Sequence, residues 1–270
     1  MKNIFEIENR LDIQKEFKRF INVFHNMQMI DSNIRGEYLS LFAYFDRFVF
    51  RKWDYRDTML VTVEYLNHIG VSNKMLNKDE NITEEIFLRY IEFVLNMIKE
   101  AGDSLMNKIG KGSLLKAALD NISVILEKMN YEEVEVENRI ILTKRNSDVD
   151  SILAEISLPQ DVTEVLLEYN DFRVQKDIEA KKKILKKLDL YIEGNIKVKS
   201  FDSNLGDSIG VIVNKMGINH PINEEPYLSM AKEEIIQWYD KCFLMMIHAI
   251  RSVEVNKIKN ERKALENSSK

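Results

Sequence analysis

The chain has 270 residues, a length that fits one large domain or two ordinary ones. Apolar residues make up 45% and charged residues 31% of the chain, and it contains only nine glycines and three prolines. This composition excludes disordered, collagen-like and turn-rich all-β classes and predicts a mainly α protein. The net charge of −5 provides no overall positive field, so an anionic partner has to be bound locally.

Cysteine usage and the lack of long apolar runs bear on the compartment. Cys242 is the single cysteine, which excludes an internal disulfide and a multi-cysteine zinc site and predicts a reducing compartment. No signal-peptide pattern opens the sequence, and its apolar runs are far shorter than the roughly 20 residues that cross a bilayer. We therefore expect a cytoplasmic protein. Because the four histidines are scattered singly, no metal site is expected. No cofactor is expected either.

Apolar residues recur at helical spacing through the first half of the chain. The spacing predicts helices over residues 6–29, from a cap at Asp31 or Ser32 to residue 53, and over 59–68, 86–99 and 113–128. Gly70 and Gly102 are expected to end two of them, because glycine adopts the left-handed C-cap conformation. Ten of the thirteen phenylalanines precede residue 100, so this half is predicted to have its own aromatic core.

The apolar period changes from helical to alternating at Tyr131. Alternation over 132–136, a turn at Glu137 and Asn138, and a β-branched run over 139–143 predict a hairpin, which must pack against helices to be stable. Residues 131–144 are predicted to be the only β structure. Helical spacing resumes over 148–156, 160–169, 177–192 and 203–216, and from 227 past 258. The predicted organisation is an N-terminal helical domain (1–130), a hairpin connector (131–145), a C-terminal helical domain (146–265) and a frayed tail (266–270).

Five lysines lie close together in the predicted helix 177–192. They are Lys181, Lys182, Lys183, Lys186 and Lys187. With Ile178, Leu185 and Leu188 facing the core, these lysines are predicted to lie largely on the outer surface. Two interpretations remain open, a solvated face and a contact for a phosphate backbone.

The segment 211–221 presents a histidine beyond a helix end. The helix carrying Asn214 is predicted to end near Gly217, and Pro221 disfavours an α conformation for His220. The helix dipole favours a protonated imidazole at that end, where it can bind phosphate or transfer a proton. The alternative is a loop histidine bonded to a backbone carbonyl.

Residues 160–265 resemble the C-terminal domain of bacterial abortive-infection proteins, within the HEPN superfamily of helical RNA-associated domains. The resemblance consists of the lysine-rich helix, a helix entering an Asn-Lys-x-Gly-x-x-His segment at Asn214, Lys215, Gly217 and His220, and a long closing helix. It implies metal-independent RNA cleavage, in which an arginine and a histidine at a dimer interface promote attack of the 2′-hydroxyl on the adjacent phosphate. The family's arginine precedes the Asn, and Val213 stands there in this chain.

This departure leaves ribonuclease activity open, because an aliphatic side chain cannot hold a scissile phosphate. The resemblance implies catalytic roles for His220, Asn214 and Lys215, with Lys215 or Arg173 replacing the missing arginine. It implies RNA contacts for Arg173, Lys182, Lys183, Lys186 and Lys187. The expected function is an abortive-infection-like defence protein that acts on RNA or in a defence complex; the alternative is a non-catalytic module for dimerisation or partner binding.

The last predicted helix carries an unusually broad apolar surface. Phe243, Met245, Ile247 and Ile250 widen the stripe that includes Tyr239 and Met246. A surface that broad needs cover from more than one element. We therefore expect a homodimer formed through the C-terminal domain.

Overall fold

The computed structural model describes residues 11–27, 29–31, 37–77, 80–108, 113–222 and 227–268. The chain divides into two compact units, the N-terminal unit Met1–Leu142 and the C-terminal unit Thr143–Lys270. Both units are built mainly from helices, which confirms the predicted mainly α fold. The division lies between Leu142 and Thr143, inside the predicted connector 131–145.

The N-terminal unit combines short and long helices with two hairpins. Its α-helices are α1 (Ile13–Ile21), α2 (Leu41–Tyr44), α3 (Thr62–His68), α4 (Asn73–Leu76), α5 (Glu84–Met106) and α6 (Leu114–Lys128). π-Helical turns extend α1 over Asn22–Met27 and α2 over Phe45–Val49, and 3₁₀ turns follow at Phe50–Lys52 and Asp54–Arg56. Gly70 and Gly102 adopt positive φ angles, as predicted. Gly102 interrupts α5 with a kink (φ 55°, ψ −152°), and helix resumes beyond it up to Met106.

Two sequence predictions for this unit are wrong. Residues 131–144 are not the only β structure, because β1 (Met29–Asp31) pairs antiparallel with β2 (Tyr38–Ser40). The second predicted helix does not begin at Asp31, which ends β1. It begins after Ser40, whose Oγ caps α2 by accepting the Ala43 N–H at 3.2 Å. Ser32 and residues 6–10 of the first predicted helix lie outside the described residues.

The predicted aromatic core is present in the N-terminal unit. Its buried rings include Phe17, Phe20, Phe24, Phe42, Phe45, Phe50, Trp53, Phe87, Tyr90 and Phe93. His25 joins them by stacking on Phe42 with ring centroids 3.7 Å apart, and its Nε2 is buried without a hydrogen-bond partner among the described residues. Burial lowers the pKa of His25 to about 4, because an apolar environment disfavours the charged imidazole.

The predicted hairpin forms from β3 (Tyr131–Val136) and β4 (Arg139–Lys144). Glu137 and Asn138 have positive φ angles, as a tight hairpin turn requires. Asn96 of α5 fixes the second strand, because its Nδ2 donates to the Ile140 carbonyl at 2.7 Å and its Oδ1 accepts the Ile140 N–H at 2.8 Å. The hairpin thus packs against a helix, as its marginal stability in isolation predicts.

The C-terminal unit is a helical bundle arranged around one long helix. Its α-helices are α7 (Ser147–Glu155), α8 (Gln160–Asn170), α9 (Ile178–Tyr191), α10 (Ser203–Lys215) and α11 (Lys232–Ser268), and a π-helical turn (Ile192–Ile196) and a 3₁₀ turn (Val198–Ser200) join α9 to α10. Helix α11 packs against α7, α9 and α10, and α8 packs against α9. No helix in the described ranges combines the length and apolarity that crossing a bilayer requires.

The broad apolar surface of α11 is covered within the same unit. Phe243, Ile247 and Ile250 are buried in the core that α11 shares with its neighbouring helices, and Met245 packs against that core. The observation that motivated the expected homodimer is therefore accounted for by the chain's own helices. Dimerisation itself stays a prediction.

One lysine of the predicted surface cluster is inside the unit instead. Lys181 is 1% exposed, and its Nζ lies 2.5 Å from Asp240 Oδ1 and 4.3 Å from the ring centroid of Tyr169. Tyr169 donates its hydroxyl to the same Asp240 oxygen at 2.8 Å and stacks on Phe243. This Lys181 network ties α8, α9 and α11 together. Burial lowers the pKa of Lys181, and burial together with the Asp240 charge raises that of Tyr169.

The Lys181 network predicts unequal effects of removing either charge. Asp240→Asn leaves the Lys181 ammonium buried without a counter-charge, so we expect a loss of about 2 to 3 kcal/mol in the free energy of unfolding. Lys181→Met leaves only Asp240, whose side chain is 48% exposed and already hydrated, so we expect a loss of about 1 kcal/mol or less. Urea unfolding followed by Trp238 fluorescence in a Trp53→Phe background measures both. An equal or reversed ranking would contradict this account.

The buried imidazole predicts loss of stability in mild acid. The folded-state pKa of His25 lies below its ordinary value of 6.5, so the unfolded chain binds the proton first as the pH falls. We expect the N-terminal unit to lose about 2 kcal/mol between pH 7.5 and pH 5 from this group. His25→Phe keeps the ring and removes the titration, so it should reduce this pH dependence by that amount. The exposed His68→Gln serves as the control, and urea midpoints from Trp53 fluorescence give the comparison.

Candidate functional site

Helix α10 ends in a Schellman motif that fixes the direction of the predicted motif residues. Gly217 has a φ of +70°, the Ile218 N–H donates to the Val213 carbonyl at 3.0 Å, and the Gly217 N–H donates to the Asn214 carbonyl at 3.4 Å. The chain then folds back over this turn, so that a Cβ at Gly217 would lie 2.6 Å from Ile222 Cγ1. The predicted helix end at Gly217 is therefore confirmed.

This helix end places the motif side chains in different environments. Val213, at the position of the family's arginine, is 2% exposed and belongs to the core of the C-terminal unit. Asn214 and His220 are exposed, and Lys215 is half-buried. The His220 imidazole has no hydrogen-bond partner among the side chains that the structure describes, so the predicted presentation of His220 in a surface loop is confirmed.

The loop after α10 is anchored to α9 by one side-chain pair. Asn219 donates its Nδ2 to Asp189 Oδ2 at 2.8 Å, and Asp189 is 3% exposed. Burial is the main cause that raises the pKa of Asp189, and the hydrogen bond from Asn219 opposes it. The Oδ1 of Asn219 is buried without a partner among the described residues. The motif loop and the end of the lysine-rich helix are thus held together.

A cavity of about 510 Å³ opens between α10 and the segment that joins it to α9. We call it the motif cavity, because Asn214 lines it. Its polar lining includes Asp189, Glu193, Lys197 and Lys199, and its apolar lining includes Ile192, Val198 and Ile209. Charged groups of both signs over apolar walls suit a ligand that has a flat apolar body and polar edges.

Two glycines shape the motif cavity in different ways. Gly206, Gly210 and Asn214 are spaced four residues apart and therefore lie on one face of α10. A Cβ at Gly206 would lie 2.4 Å from Lys199 Cγ, so glycine there permits close packing of the connecting segment. A Cβ at Gly210 would meet nothing closer than Lys199 Nζ at 4.0 Å, so the space beside Gly210 is part of the cavity.

The other four lysines of α9 lie toward solvent and form what we call the lysine face, comprising Lys182, Lys183, Lys186 and Lys187. The spacing of Lys182, Lys186, Asp189 and Glu193 is four, three and four residues, which places them in one row along the helix. Because Asp189 and Glu193 line the motif cavity, this row leads from the lysine face to the cavity. Lys187 lies in the neighbouring row, 3.7 Å from Glu168.

Arg173 is engaged by a neighbouring carboxylate. Its Nε and Nη2 donate to the two oxygens of Asp171 at 2.9 and 2.5 Å, and its guanidinium lies 5.3 Å from the Phe172 ring centroid. A phosphate would have to displace Asp171 to use this bidentate fork. Neither Arg173 nor His220 is among the residues that line the motif cavity. The structure thus places Asn214 in one cavity with Asp189 and Glu193, at the end of the helix row that begins with Lys182 and Lys186, and leaves Arg173 elsewhere.

Sequence reasoning missed the charged residues that line the cavity beside Asn214. Asp189 lies on the buried face of α9, four residues after Leu185, where its carboxylate would be assigned to the surface from polarity alone, and Lys197 and Lys199 belong to an irregular connection. Lys197 has a left-handed φ of 54°, which is rare for a side chain with a Cβ and marks a tight turn. Within the described ranges, no group of three or more His, Cys, Asp or Glu side chains could hold a metal ion.

The burial of Val213 decides what restoring the family's arginine would do. Val213→Arg places an unpaired guanidinium in the core, so we expect the C-terminal unit to lose about 3 kcal/mol or more of unfolding free energy and to gain no RNA cleavage. Val211→Arg, two residues earlier at a site that is 59% exposed, is the matched control and should stay within about 0.5 kcal/mol of wild type. Urea unfolding at Trp238 compares the two. A stable Val213→Arg protein would show that this position does not belong to the core.

Comparison of the chain with protein-family models, curated proteins and solved structures finds no match. The resemblance to HEPN domains therefore rests on Asn214, Lys215, Gly217 and His220 and on the order of the helices.

Proposed function

We propose that the C-terminal unit is a HEPN-like module that binds single-stranded RNA and does not cleave it. Its binding surface is the lysine face of α9 together with the motif cavity. The cytoplasmic location and the role in abortive-infection-like defence are part of the same proposal and derive from the resemblance. The observation that carries RNA binding is the position of Asn214, which lines a cavity at the end of the helix row that begins with Lys182 and Lys186.

The charges of this surface favour an extended polyanion. Lys182 and Lys186 are four residues apart, which separates them by about 6 Å along the helix axis. No ion pair to Lys182, Lys183 or Lys186 is present in the described part of the chain, and Glu168 is the one carboxylate within ion-pair distance of Lys187. Phosphates of a single strand are therefore attracted to the lysine face despite the net negative charge of the protein.

The motif cavity offers a place for a base at the end of this row. Ile192, Val198 and Ile209 supply apolar walls, and Asn214 and Asp189 supply polar groups that can pair with a base edge. Lys197 and Lys199 add cations, although Lys199 Nζ also lies 2.9 Å from Asp207. Unstacked bases of single-stranded RNA are bound in this manner, by burial of the ring and hydrogen bonds to its edge.

The arrangement of the motif argues against cleavage. Strand cleavage by the family's chemistry needs a cation that stabilises charge on the scissile phosphate, and the position that supplies it is occupied by the buried Val213. Arg173 is committed to Asp171. Among the motif residues, His220 is the exposed side chain that can act as an acid or base near neutral pH, and one such group contributes about 10² to 10⁴ in rate. Binding is the function that these residues support.

Fluorescence anisotropy with a labelled single-stranded RNA tests the proposal. We expect Lys182→Gln/Lys186→Gln to weaken binding and to make the negative slope of log K against log salt less steep by about 0.7 for each lysine in phosphate contact. Gly210→Leu should also weaken binding, because it fills the cavity at a position where a Cβ has space. Lys116→Gln/Lys128→Gln, which removes the same charge from the exposed surface of α6, should bind as wild type does.

Two outcomes contradict this function. The absence of binding by the wild-type protein at about 50 mM salt would reject RNA as the ligand, because electrostatic binding is strongest at low salt. RNA cleavage that is lost in His220→Ala would reject the non-catalytic assignment and restore the ribonuclease mechanism that the resemblance implies.

A further inference from the structure

A second groove lies along the later part of α11. It has a volume of about 580 Å³ and is bounded on one side by the segment from Ser200 to Asp202. We call it the α11 groove. The residues of α11 that line it are His248, Ser252, Val255, Asn256, Lys259, Asn260 and Lys263. Their spacing of three and four residues makes one continuous face of the helix.

This face differs in charge from the rest of α11. Lys259 and Lys263 are four residues apart, so their ammonium groups repel each other. No carboxylate forms an ion pair with either one among the described residues. Elsewhere on the same part of α11 the cations are paired, Lys257 with Glu254 at 2.5 Å and Arg262 with Glu266 at 3.4 Å. The groove therefore keeps two adjacent cations without a counter-charge from the helix.

The opposite wall of the groove supplies one acid and one aromatic ring. The Asp202 carboxylate caps α10 by accepting the Leu205 N–H at 3.0 Å, so it is already engaged. Phe201 is half-buried and lines the groove. These groups suit single-stranded RNA. Cations along one helix face bind phosphates, an aromatic ring stacks a base, and the amides of Asn256 and Asn260 can pair with the edge of that base.

We infer that the α11 groove is a second contact for single-stranded RNA, with phosphates on Lys259 and Lys263 and a base against Phe201. The inference rests on the proposed function, since it extends the binding surface for the same RNA strand. The motif cavity and the α11 groove adjoin each other, because Ser200 lines both. A strand that leaves the motif cavity passes Ser200 and enters the groove. His248 is exposed in this groove and adds a hydrogen-bond donor to the phosphate path.

The test uses the full chain and the same labelled RNA. Lys259→Gln/Lys263→Gln should weaken binding and make the negative slope of log K against log salt less steep by about 0.7 for each lysine. Lys232→Gln/Lys257→Gln is the matched control, because it removes two charges from α11 outside the groove and should leave both quantities unchanged. Phe201→Leu keeps an apolar side chain and removes the ring, so it should weaken binding of single-stranded RNA by about tenfold, as loss of one stacked base does, with duplex RNA unaffected.

Photocrosslinking locates the contact without relying on the fold of a variant. RNA that carries 5-iodouracil should crosslink to peptides that contain Phe201 or residues 248–263. The inference would be overturned, with the proposed function intact, by the following combination of results. The wild-type protein binds RNA, Lys259→Gln/Lys263→Gln binds it with the same affinity and salt slope, and the crosslinks are confined to α9 and α10. Absence of RNA binding by the wild-type protein overturns both. Weakening by the control pair equal to that of the groove pair would show a nonspecific charge effect and overturn the inference alone.

Discussion

The left-handed turn at Gly217 determines the orientation of everything that follows in the motif. Because the Ile218 N–H returns to the Val213 carbonyl, the last turn of α10 closes with Val213 toward the core and Asn214 toward the cavity. The same turn directs Asn219 onto the buried Asp189, and thereby holds the loop against α9. Within a short polar pattern that resembles a catalytic motif, Gly217 thus ends one helix and Asn219 attaches the chain to another.

The parts of the fold that depend on local chemistry could be predicted from the sequence. Ser113 and Asp177 cap α6 and α9, Gly217 ends α10, and the hairpin turn lies at Glu137 and Asn138, each because the residue type satisfies a specific backbone requirement. Helix periodicity could not locate the π-helical turns, which interrupt a regular helix for one turn, or the pairing of β1 with β2, whose three-residue strands are too short to show an alternating pattern. Burial of the motif position Val213 depends equally on the helices that surround it.

Lys181 shows that a charged residue can be assigned to the surface wrongly when polarity alone is considered. Ile178, Lys181, Leu185, Leu188 and Ile192 follow the three- and four-residue spacing of one helix face, so position alone assigns Lys181 to the core. Its charge suggested the surface. The side chain is accommodated inside because Asp240 and the face of Tyr169 replace part of its hydration. Spacing was the more reliable signal here, and the partner on α11, far along the chain, could not be identified from the helix itself.

The length of α11 gives its two halves different stabilities. Its 37 residues span about 55 Å, and its last buried side chain within the described positions is Ile250. The turns before Ile250 open only when the core opens, whereas those beyond it are held mainly by their own backbone hydrogen bonds, which are marginal in an isolated helix. The helix is therefore a rigid core element at its start and opens more easily toward its end. Amide hydrogen exchange should accelerate from one turn to the next toward the C-terminal end.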